Sequence, residues 1–463
     1  MAALRKNCDS EVNMWQKMYK IRYITFGCKV NQYETRCLEA AFEQLGFAQA
    51  APDEEPDVVV INSCTVTGSG ESRSLTTLRR LRRELPGAVI VLTGCIPQAD
   101  PEIHLRIPEA DIITGTKDRS RIPELAAEVL EHRRRIVEVG EYSGRESFEV
   151  MEYHSELTGA HGHTRAFVKI QDGCNCFCTY CIIPYARGRC RSKPPELLRE
   201  EIVRLAAEGV REIVLTGINL AFYGTEYGLR LADAAELCCG VTGIDRVRLG
   251  SLEPERISDD DLVRLSRLEK LCPQFHLSLQ SGCDRTLKAM GRRYTAEEYY
   301  QLTRRILHYF PDCAFTTDIM AGFPGETEED FEESVRFVRR VGFSRLHVFT
   351  YSQRRGTPAA SMPQLPQRVR KQRADRLRIV GNELHAEHLA RQVGRTVPVL
   401  FEREEEPDIH HGYAPDMTLI KIPEKNYKKS LRNSIFYVTI EESGSEYCTG
   451  RITGECRISN KGE

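Results

Sequence analysis

The sequence predicts an α/β protein in three parts: an N-terminal doubly wound parallel sheet, a central partial (β/α)6 barrel and a small C-terminal β-barrel. Three observations carry this. Short β-branched runs alternate with helical stretches from Arg22 to about Gly140, the alternation restarts on a longer scale after Thr164, and beyond Val393 only strand-like runs and turns remain. A chain of 463 residues also exceeds what one core usually holds, so several domains are expected.

In the first part, residues 21–140, the runs Tyr23-Ile24-Thr25-Phe26, Val58-Val59-Val60-Ile61 and Val89-Ile90-Val91-Leu92 each precede a stretch with helical periodicity. Runs that short and apolar read as parallel strands covered on both faces. Ile112-Ile113 and Ile136-Val137-Glu138-Val139 read as further strands. Residues 141–164 are polar and aperiodic and read as a linker.

In residues 165–392 six strand candidates follow: Ala166–Ile170, Glu212–Leu215, Val247–Leu249, Phe275–Leu279, Phe315–Ile319 and Leu346–Phe349. Helical segments such as Pro194 to Ala207 and Thr327 to Val341 separate them, which suggests a barrel shorter than the eight-unit form. A basic helix from Gln367 to about Val393 closes this part. In residues 393–456 the runs Thr396–Phe401, Met417–Ile422 and Ile435–Ile440 suggest a barrel of the oligonucleotide-binding type.

Composition narrows the function. Apolar residues make up 41% and charged residues 29%, as in a soluble globular protein. No apolar run approaches the ~20 residues of a membrane span, and Met1 to Lys20 lacks the apolar stretch of a secretory signal, so a cytoplasmic protein is expected. Lys plus Arg number 65 against 67 Asp plus Glu, so any nucleic-acid surface must be a local patch. Cysteine is the oddity, with 17 in a long chain. Clustered Cys in a reducing compartment hold metal or perform chemistry more often than they form disulfides.

One cluster is Gly173-Cys174-Asn175-Cys176-Phe177-Cys178-Thr179-Tyr180-Cys181, directly after the first barrel strand. Cys174, Cys178 and Cys181 give CxxxCxxC, three thiolates able to hold an iron–sulfur cube with its fourth iron open. An open iron can take the amino and carboxylate groups of S-adenosylmethionine. Zinc would want a fourth His or Cys, which Cys176 or Cys190 could supply, so counting alone leaves zinc open.

The second constellation is dispersed. Cys28, Cys64 and Cys95 each stand just past the carboxyl end of a predicted parallel strand. Those ends share one edge of a doubly wound sheet, so thiols 36 and 31 residues apart meet in space without a local motif. Three unrelated buried Cys would not fall at one topological position three times, and a second cluster site is expected.

The CxxxCxxC motif resembles that of the radical S-adenosylmethionine enzymes, and the whole order of parts from about Tyr23 to Ile452 resembles the methylthiotransferases, with a TRAM-like RNA-binding domain at the end. The motif Gly27-Cys28-Lys29-Val30-Asn31-Gln32-Tyr33-Glu34-Thr35 is similar to the subgroup that methylthiolates N6-threonylcarbamoyladenosine at tRNA position 37. Subgroups acting on isopentenyladenosine or on a ribosomal-protein aspartate differ around this Cys. Asn62–Thr67, Thr93-Gly94-Cys95 and Ile182–Arg189 also match the family pattern. Two positions depart from it: Cys176 stands where a residue such as Asn is expected, and Asn219 where the subgroup shows His. Neither is expected to touch a proposed ligand.

The resemblance implies two [4Fe-4S] clusters, with S-adenosylmethionine as both radical source and methyl donor. Cys174, Cys178 and Cys181 would hold the cluster that generates the 5′-deoxyadenosyl radical, and Cys28, Cys64 and Cys95 the one that delivers sulfur. It assigns cofactor contacts to barrel strand ends, at Thr216, Gly217, Ser251, Glu253, Ser278 and Gln280. Implied partners are the tRNA anticodon loop, an electron donor and a sulfide source, with no membrane, for a monomeric enzyme. For RNA, Arg187 and Arg189 form a basic run beside the barrel cysteines, and Lys425, Lys428 and Lys429 lie in the tail near Tyr413, Tyr427 and Phe436. Leu78–Arg83 reads as a solvated helix face, and His161, His163, His410 and His411 as exposed residues without a metal.

Overall fold

The structure, a computed structural model, describes residues 18–151, 164–402, 408–423, 427 and 429–456. His161, His163, Lys425 and Lys428 lie outside the described residues. The chain divides into two compact units, Met1–Leu157 with Ile182–Arg189, and Thr158–Cys181 with Cys190–Glu463.

Unit 1 is a six-stranded sheet of β1 (Lys20–Thr25), β2 (Ala48–Gln49), β3 (Val58–Ser63), β4 (Val89–Gly94), β5 (Ile112–Thr114) and β6 (Ile136–Glu138). Its order is β2-β1-β3-β4-β5-β6, and each neighbouring pair is parallel. Alternate residues of one strand feed opposite cores. Val58, Val60, Val89 and Val91 pack with Leu38, Phe42, Leu125 and Val129, whereas Val59, Ile61, Ile90 and Leu92 pack with Leu78 and Leu81. Burial on both faces explains the continuous apolar runs in the sequence. The order reverses between β1 and β3, the switch point at which doubly wound sheets form ligand crevices.

Leu78 and Leu81 of the helix Gly68–Glu84 are buried while Arg80 and Arg83 face outward, so the Leu78–Arg83 run is amphipathic and only its arginine side is solvated. Residues 141–151 carry no regular structure, yet Tyr142 Oη lies 3.0 Å from Thr116 Oγ1 and Phe148 is buried.

Unit 2 contains β7 (Arg165–Asp172), the short β8 (Arg191–Ser192), β9 (Glu212–Gly217), β10 (Arg246–Leu249), β11 (Ser251–Leu252), β12 (Gln274–Leu277), β13 (Ala314–Ala321) and β14 (Arg345–Thr350). They form two sheets, β10-β9-β7-β8 and β11-β12-β13-β14, all parallel except the β7–β8 pair. The third strand of the expected barrel is thus broken in two at Gly250. A Cβ there would lie 2.8 Å from the Leu215 carbonyl oxygen, so only glycine lets the chain pass so close. β10 serves one sheet and β11 the other, and the six-strand half-barrel is preserved across the break.

The tail is a closed barrel of β15 (Thr396–Phe401), β16 (Ile409–Tyr413), β17 (Leu419–Pro423), β18 (Ile435–Ser443) and β19 (Cys448–Glu455), in the order β15-β16-β17-β19-β18. It belongs to the same compact unit as the half-barrel because buried arginines tie the two. Arg246 donates to the carbonyls of Tyr413 (2.8 Å) and Pro398 (2.7 Å), and Arg248 to that of Pro415 (2.7 Å). Glu212, fully buried, faces both arginines and Arg165. His410 and His411 correct the sequence reading: they sit in β16, 3% and 8% exposed, with His410 Nε2 2.7 Å from the Tyr427 carbonyl. His410 stands opposite Ile422 of the barrel core and points inward, whereas His411, opposite Lys421, lies on the other face of the strand and is covered there.

Candidate functional site

In unit 1 the carboxyl ends of β1, β3 and β4 lie side by side, with Thr25 opposite Asn62, Asn62 opposite Thr93 and Ser63 opposite Gly94. Cys28, Cys64 and Cys95 follow these ends, so the structure brings the three to one edge of the sheet. Cys28 is exposed and precedes the helix Lys29–Gln44, while Cys64 and Cys95 are buried. Two glycines permit the approach. Gly27 has φ +99° and a Cβ on it would lie 2.6 Å from Cys64 Cβ; Gly94 has φ +96° and a Cβ would lie 2.5 Å from the Ser63 carbonyl oxygen.

Hydrogen bonds stitch the edge together. Asn31 Nδ2 donates to the carbonyls of Phe26 (2.8 Å) and Ser63 (3.0 Å), joining the turns that carry Cys28 and Cys64. Ser63 Oγ donates to the Thr93 carbonyl at 2.6 Å and accepts from the Ile96 amide at 3.3 Å, joining Cys64 to Cys95. Burial pushes the Cys64 thiol up to about 12, with the neighbouring Cys95 adding to it; burial likewise raises Cys95.

Arg187 corrects the sequence reading. It was expected to meet RNA phosphates, but its side chain is fully buried within unit 1 and donates to Glu34 Oε1 (2.7 Å), Glu34 Oε2 (2.9 Å) and Asn31 Oδ1 (2.7 Å). In unit 2, Arg191 and Lys193 of the same run are buried against Asp172 and Glu201. Only Arg189 of the two arginines assigned to RNA is exposed, and Lys429 is exposed in the tail. Tyr427 and Phe436 pack on each other, centroids 5.7 Å apart, at the edge of the tail's core.

In unit 2 the loop after β7 carries Cys174, Cys176, Cys178 and Cys181. Asp172 accepts from the Gly173 amide (2.8 Å), and Asn175 Oδ1 accepts from the Cys190 amide (3.2 Å), which pins both ends of its first half. Thr179 donates its amide to the Met290 carbonyl at 2.9 Å. Asn219 was expected to stay clear of the ligands, and the structure corrects this. Its Nδ2 lies 3.3 Å from Cys176 Sγ and 3.7 Å from Cys174 Sγ, because its own amide is anchored at 2.7 Å to Gln171 Oε1 on β7. Hydrogen bonding from Cys176 holds the Cys174 thiol down at about 7, against its burial, while the same bond pushes Cys176 up.

The residues assigned to cofactor lie at the carboxyl ends of neighbouring strands. Thr216 and Gly217 end β9, Ser251 opens β11 with Glu253 just beyond it, and Ser278 and Gln280 follow β12. Ser251 is exposed and Ser278 buried. Gln280 holds φ +68°, its amide donating to the Asp318 carbonyl at 2.9 Å. Sequence reasoning missed the residue that links this set to the cysteines. Arg292 Nη1 lies 3.4 Å from Cys178 Sγ and 3.3 Å from Glu253 Oε1, and its Nη2 donates to Glu253 and to the Ser278 carbonyl (3.1 Å). Burial pushes the Glu253 carboxyl and the Cys178 thiol up, and Arg292 opposes both shifts.

Both donor sets fit an iron–sulfur cluster chemically. Each is a trio of thiols, and N–H groups of Asn219 and Arg292 point at the sulfurs of the barrel trio, an arrangement that tunes such clusters. Among the described residues, no three His, Cys, Asp or Glu side chains are drawn together at the spacing of a single metal ion.

Residues 168–338 match the model of the radical SAM superfamily, and residues 20–115 that of the uncharacterized protein family UPF0004. The chain is 38% identical, over 84% of its length and 88% of the relative's, to the tRNA-2-methylthio-N(6)-dimethylallyladenosine synthase of Pelotomaculum thermopropionicum. It is 35% identical, over 94% of its length and 96% of the relative's, to the threonylcarbamoyladenosine tRNA methylthiotransferase MtaB of Bacillus subtilis. Among solved structures, the radical S-adenosylmethionine methyltransferase TsrM from Kitasatospora setae shares the fold, with a TM-score of 0.55 at 16% identity over 74% of this chain and 77% of that one.

Proposed function

The chain belongs to the radical SAM tRNA methylthiotransferases, and from that premise we propose that it methylthiolates C2 of N6-threonylcarbamoyladenosine at position 37 of tRNA. It is an enzyme of tRNA modification that uses S-adenosylmethionine and a [4Fe-4S] cluster. The observation that carries the fuller reading is the two thiol trios, each at the carboxyl edge of its own parallel sheet. The threonylcarbamoyl substrate rests on the Gly27–Thr35 motif and on the relative whose alignment spans nearly both chains. Isopentenyladenosine is the second reading, supported by the dimethylallyladenosine synthase at 38% identity.

In this reading Cys174, Cys178 and Cys181 hold one [4Fe-4S] cluster and Cys28, Cys64 and Cys95 a second. When bound, the clusters supply the electron that cleaves S-adenosylmethionine and the sulfur that is transferred. The chain's own residues do the rest. Asn219 and Arg292 direct N–H donors at the barrel thiolates, and Arg292 fixes Glu253 beside them. Thr216, Gly217, Ser251, Ser278 and Gln280 offer hydroxyl, amide and backbone groups for the cofactor's ribose and carboxylate. Lys425, Lys428, Lys429 and Arg189 meet phosphates of the anticodon loop, and the base is turned out of its stack to react. Residues 21–140, 165–392 and 393–456 are the corresponding sulfur-delivery, radical and RNA-binding domains. Among the described residues no helix is long and apolar enough to cross a membrane, and the chain works as a cytoplasmic monomer that draws on an external electron donor and sulfide source.

The test uses the full chain reconstituted anaerobically. Cys178→Ala abolishes cofactor cleavage, whereas Cys64→Ala spares cleavage and stops thiolation, and each halves the iron content. Mass analysis of the modified nucleoside identifies the substrate. Sulfur transfer by the Cys64→Ala chain would overturn the donor-site assignment.

A further inference from the structure

Beneath the Cys28, Cys64 and Cys95 edge lies a group of charges that no thiol ligation requires. Glu34 and Arg187 are both fully buried and meet through two parallel hydrogen bonds of 2.7 and 2.9 Å. A second buried guanidinium, Arg119, approaches Glu34 Oε1 at 2.8 Å and reaches the partly buried Glu149 at 3.3 Å. Removing three charged groups from water costs several kcal/mol per ion unless something repays it, and an apolar core of equal volume usually stabilises a fold as well. A buried ion group retained beside a reactive edge therefore asks for an electrostatic reason.

The placement supplies one. Asn31 accepts from Arg187 at 2.7 Å through the oxygen that also faces Cys28 Sγ at 3.9 Å, and its nitrogen binds the carbonyls before Cys28 and Cys64. Arg187 also lies close enough to Cys95 to hydrogen-bond it, and its charge is felt at Cys64. Glu34 opposes it at Cys95, but by less than Arg187 contributes. Arg187 is thus a cation that acts on Cys95 and Cys64 and is joined to Cys28 through Asn31, and Glu34 fixes its plane.

Resting on the reading of these thiols as a cluster site, we propose that Arg187 is a positioning residue of that site, its clamped guanidinium providing the fixed positive charge that offsets the thiolate trio and sets the reduction potential of the iron–sulfur group held there. Three thiolates, two of them buried, with a cluster and a sulfide would make an anion that becomes more negative on reduction. A fixed cation favours the reduced form and raises the potential; Glu34 tempers it. The charge is that of a guanidinium, which does not deprotonate in a protein, so the effect is constant across the working pH range.

The experiment is an EPR-monitored redox titration of the anaerobically reconstituted full chain, with the Cys64→Ala chain used to identify which signal belongs to this site. Arg187→Met shifts the midpoint of that signal to more negative potential, and Arg187→Lys, which keeps the charge, restores most of the shift. Glu34→Gln leaves Arg187 unopposed and shifts the same signal in the positive direction. A merely structural ion pair would lower thermal stability in all three without opposite shifts in potential. Unmoved midpoints, or Arg187→Met and Glu34→Gln shifting the same way, overturn the inference while leaving the cluster site standing. Two intact signals in the Cys64→Ala chain overturn the site reading and the inference with it.

Discussion

The side-chain amide of Asn219 bridges Cys176 and Cys174, 3.3 Å from one sulfur and 3.7 Å from the other. One donor is thus shared by the proposed ligand Cys174 and its neighbour Cys176. Cys174 is held below the usual thiol range by the Cys176 thiol, the Cys176 amide and Asn219, whereas the same thiol contact, with burial, pushes Cys176 up. Cys176→Ser therefore leaves iron content and cofactor cleavage unchanged, and Cys174→Ser removes half the iron. Asn219→Ala takes a donor from a ligand and slows cofactor cleavage by about 10-fold, the low end of losses for groups that orient ligands. Iron assay and 5′-deoxyadenosine release measure both.

Arg292 is the next position at risk. It contacts Cys178, Glu253 and the Ser278 carbonyl, and its side chain is 4% exposed. Arg292→Met leaves the partly buried Glu253 without this partner and takes this donor from Cys178. Cofactor cleavage falls by about 10–100-fold, with sulfur loading at Cys28, Cys64 and Cys95 unaffected. Glu253→Gln produces a smaller loss, because Arg292 keeps the Cys178 and Ser278 contacts. Single-turnover cleavage assays on the two chains distinguish these outcomes.

The residues legible in the sequence were those whose role is set by local spacing or strand position. CxxxCxxC is a loop property, and Cys28, Cys64 and Cys95 repeat one place after three apolar runs. The parallel sheet was legible because burial on both faces makes Val58–Ile61 and Val89–Leu92 uniformly apolar. β16 was not, since Ile409–Tyr413 carries two His and a Gly in place of the β-branched and apolar residues that mark a strand. Arg187 looked like part of a basic surface run because sequence gives charge but not direction. Its partner Glu34 lies 153 residues away. Arg292 and Asn219 stand on turns after a helix and a strand, where no periodicity marks a side chain aimed at a sulfur.

Gly94 is a test of the sheet edge itself. With φ +96° and ψ −153° it occupies a region essentially open to glycine alone, and a Cβ would sit 2.5 Å from the Ser63 carbonyl oxygen and 2.6 Å from Asn62 Oδ1. Backbone strain of this kind costs about 1–3 kcal/mol before the clash is counted. Gly94→Ala displaces Cys95 from Cys64, so sulfur transfer is lost and the iron content falls towards half. Cofactor cleavage, which the proposed function assigns to the other unit, persists. Equal loss of both activities would show that the strain spreads beyond the edge.

Glu212 provides the acid limit of stability. Burial pushes its carboxyl up, but Arg248, then Arg165 and Arg246, outweigh this and hold it at about 2. A carboxylate depressed in the folded state stabilises the protein fully above its unfolded value of about 4.3. That contribution disappears as the pH falls through about 2. Breaking such a buried network costs about 3–5 kcal/mol, because three arginines lose their common partner. Glu212→Gln therefore lowers the thermal midpoint strongly at pH 7, and its difference from the parent chain narrows steadily between pH 4.5 and 2. The same arginines hold the carbonyls of Pro398, Tyr413 and Pro415, so limited proteolysis at neutral pH should release the C-terminal barrel sooner from the variant. A difference that stays constant on acidification would mean that Glu212 is already protonated at neutral pH and that its partners are held by geometry alone.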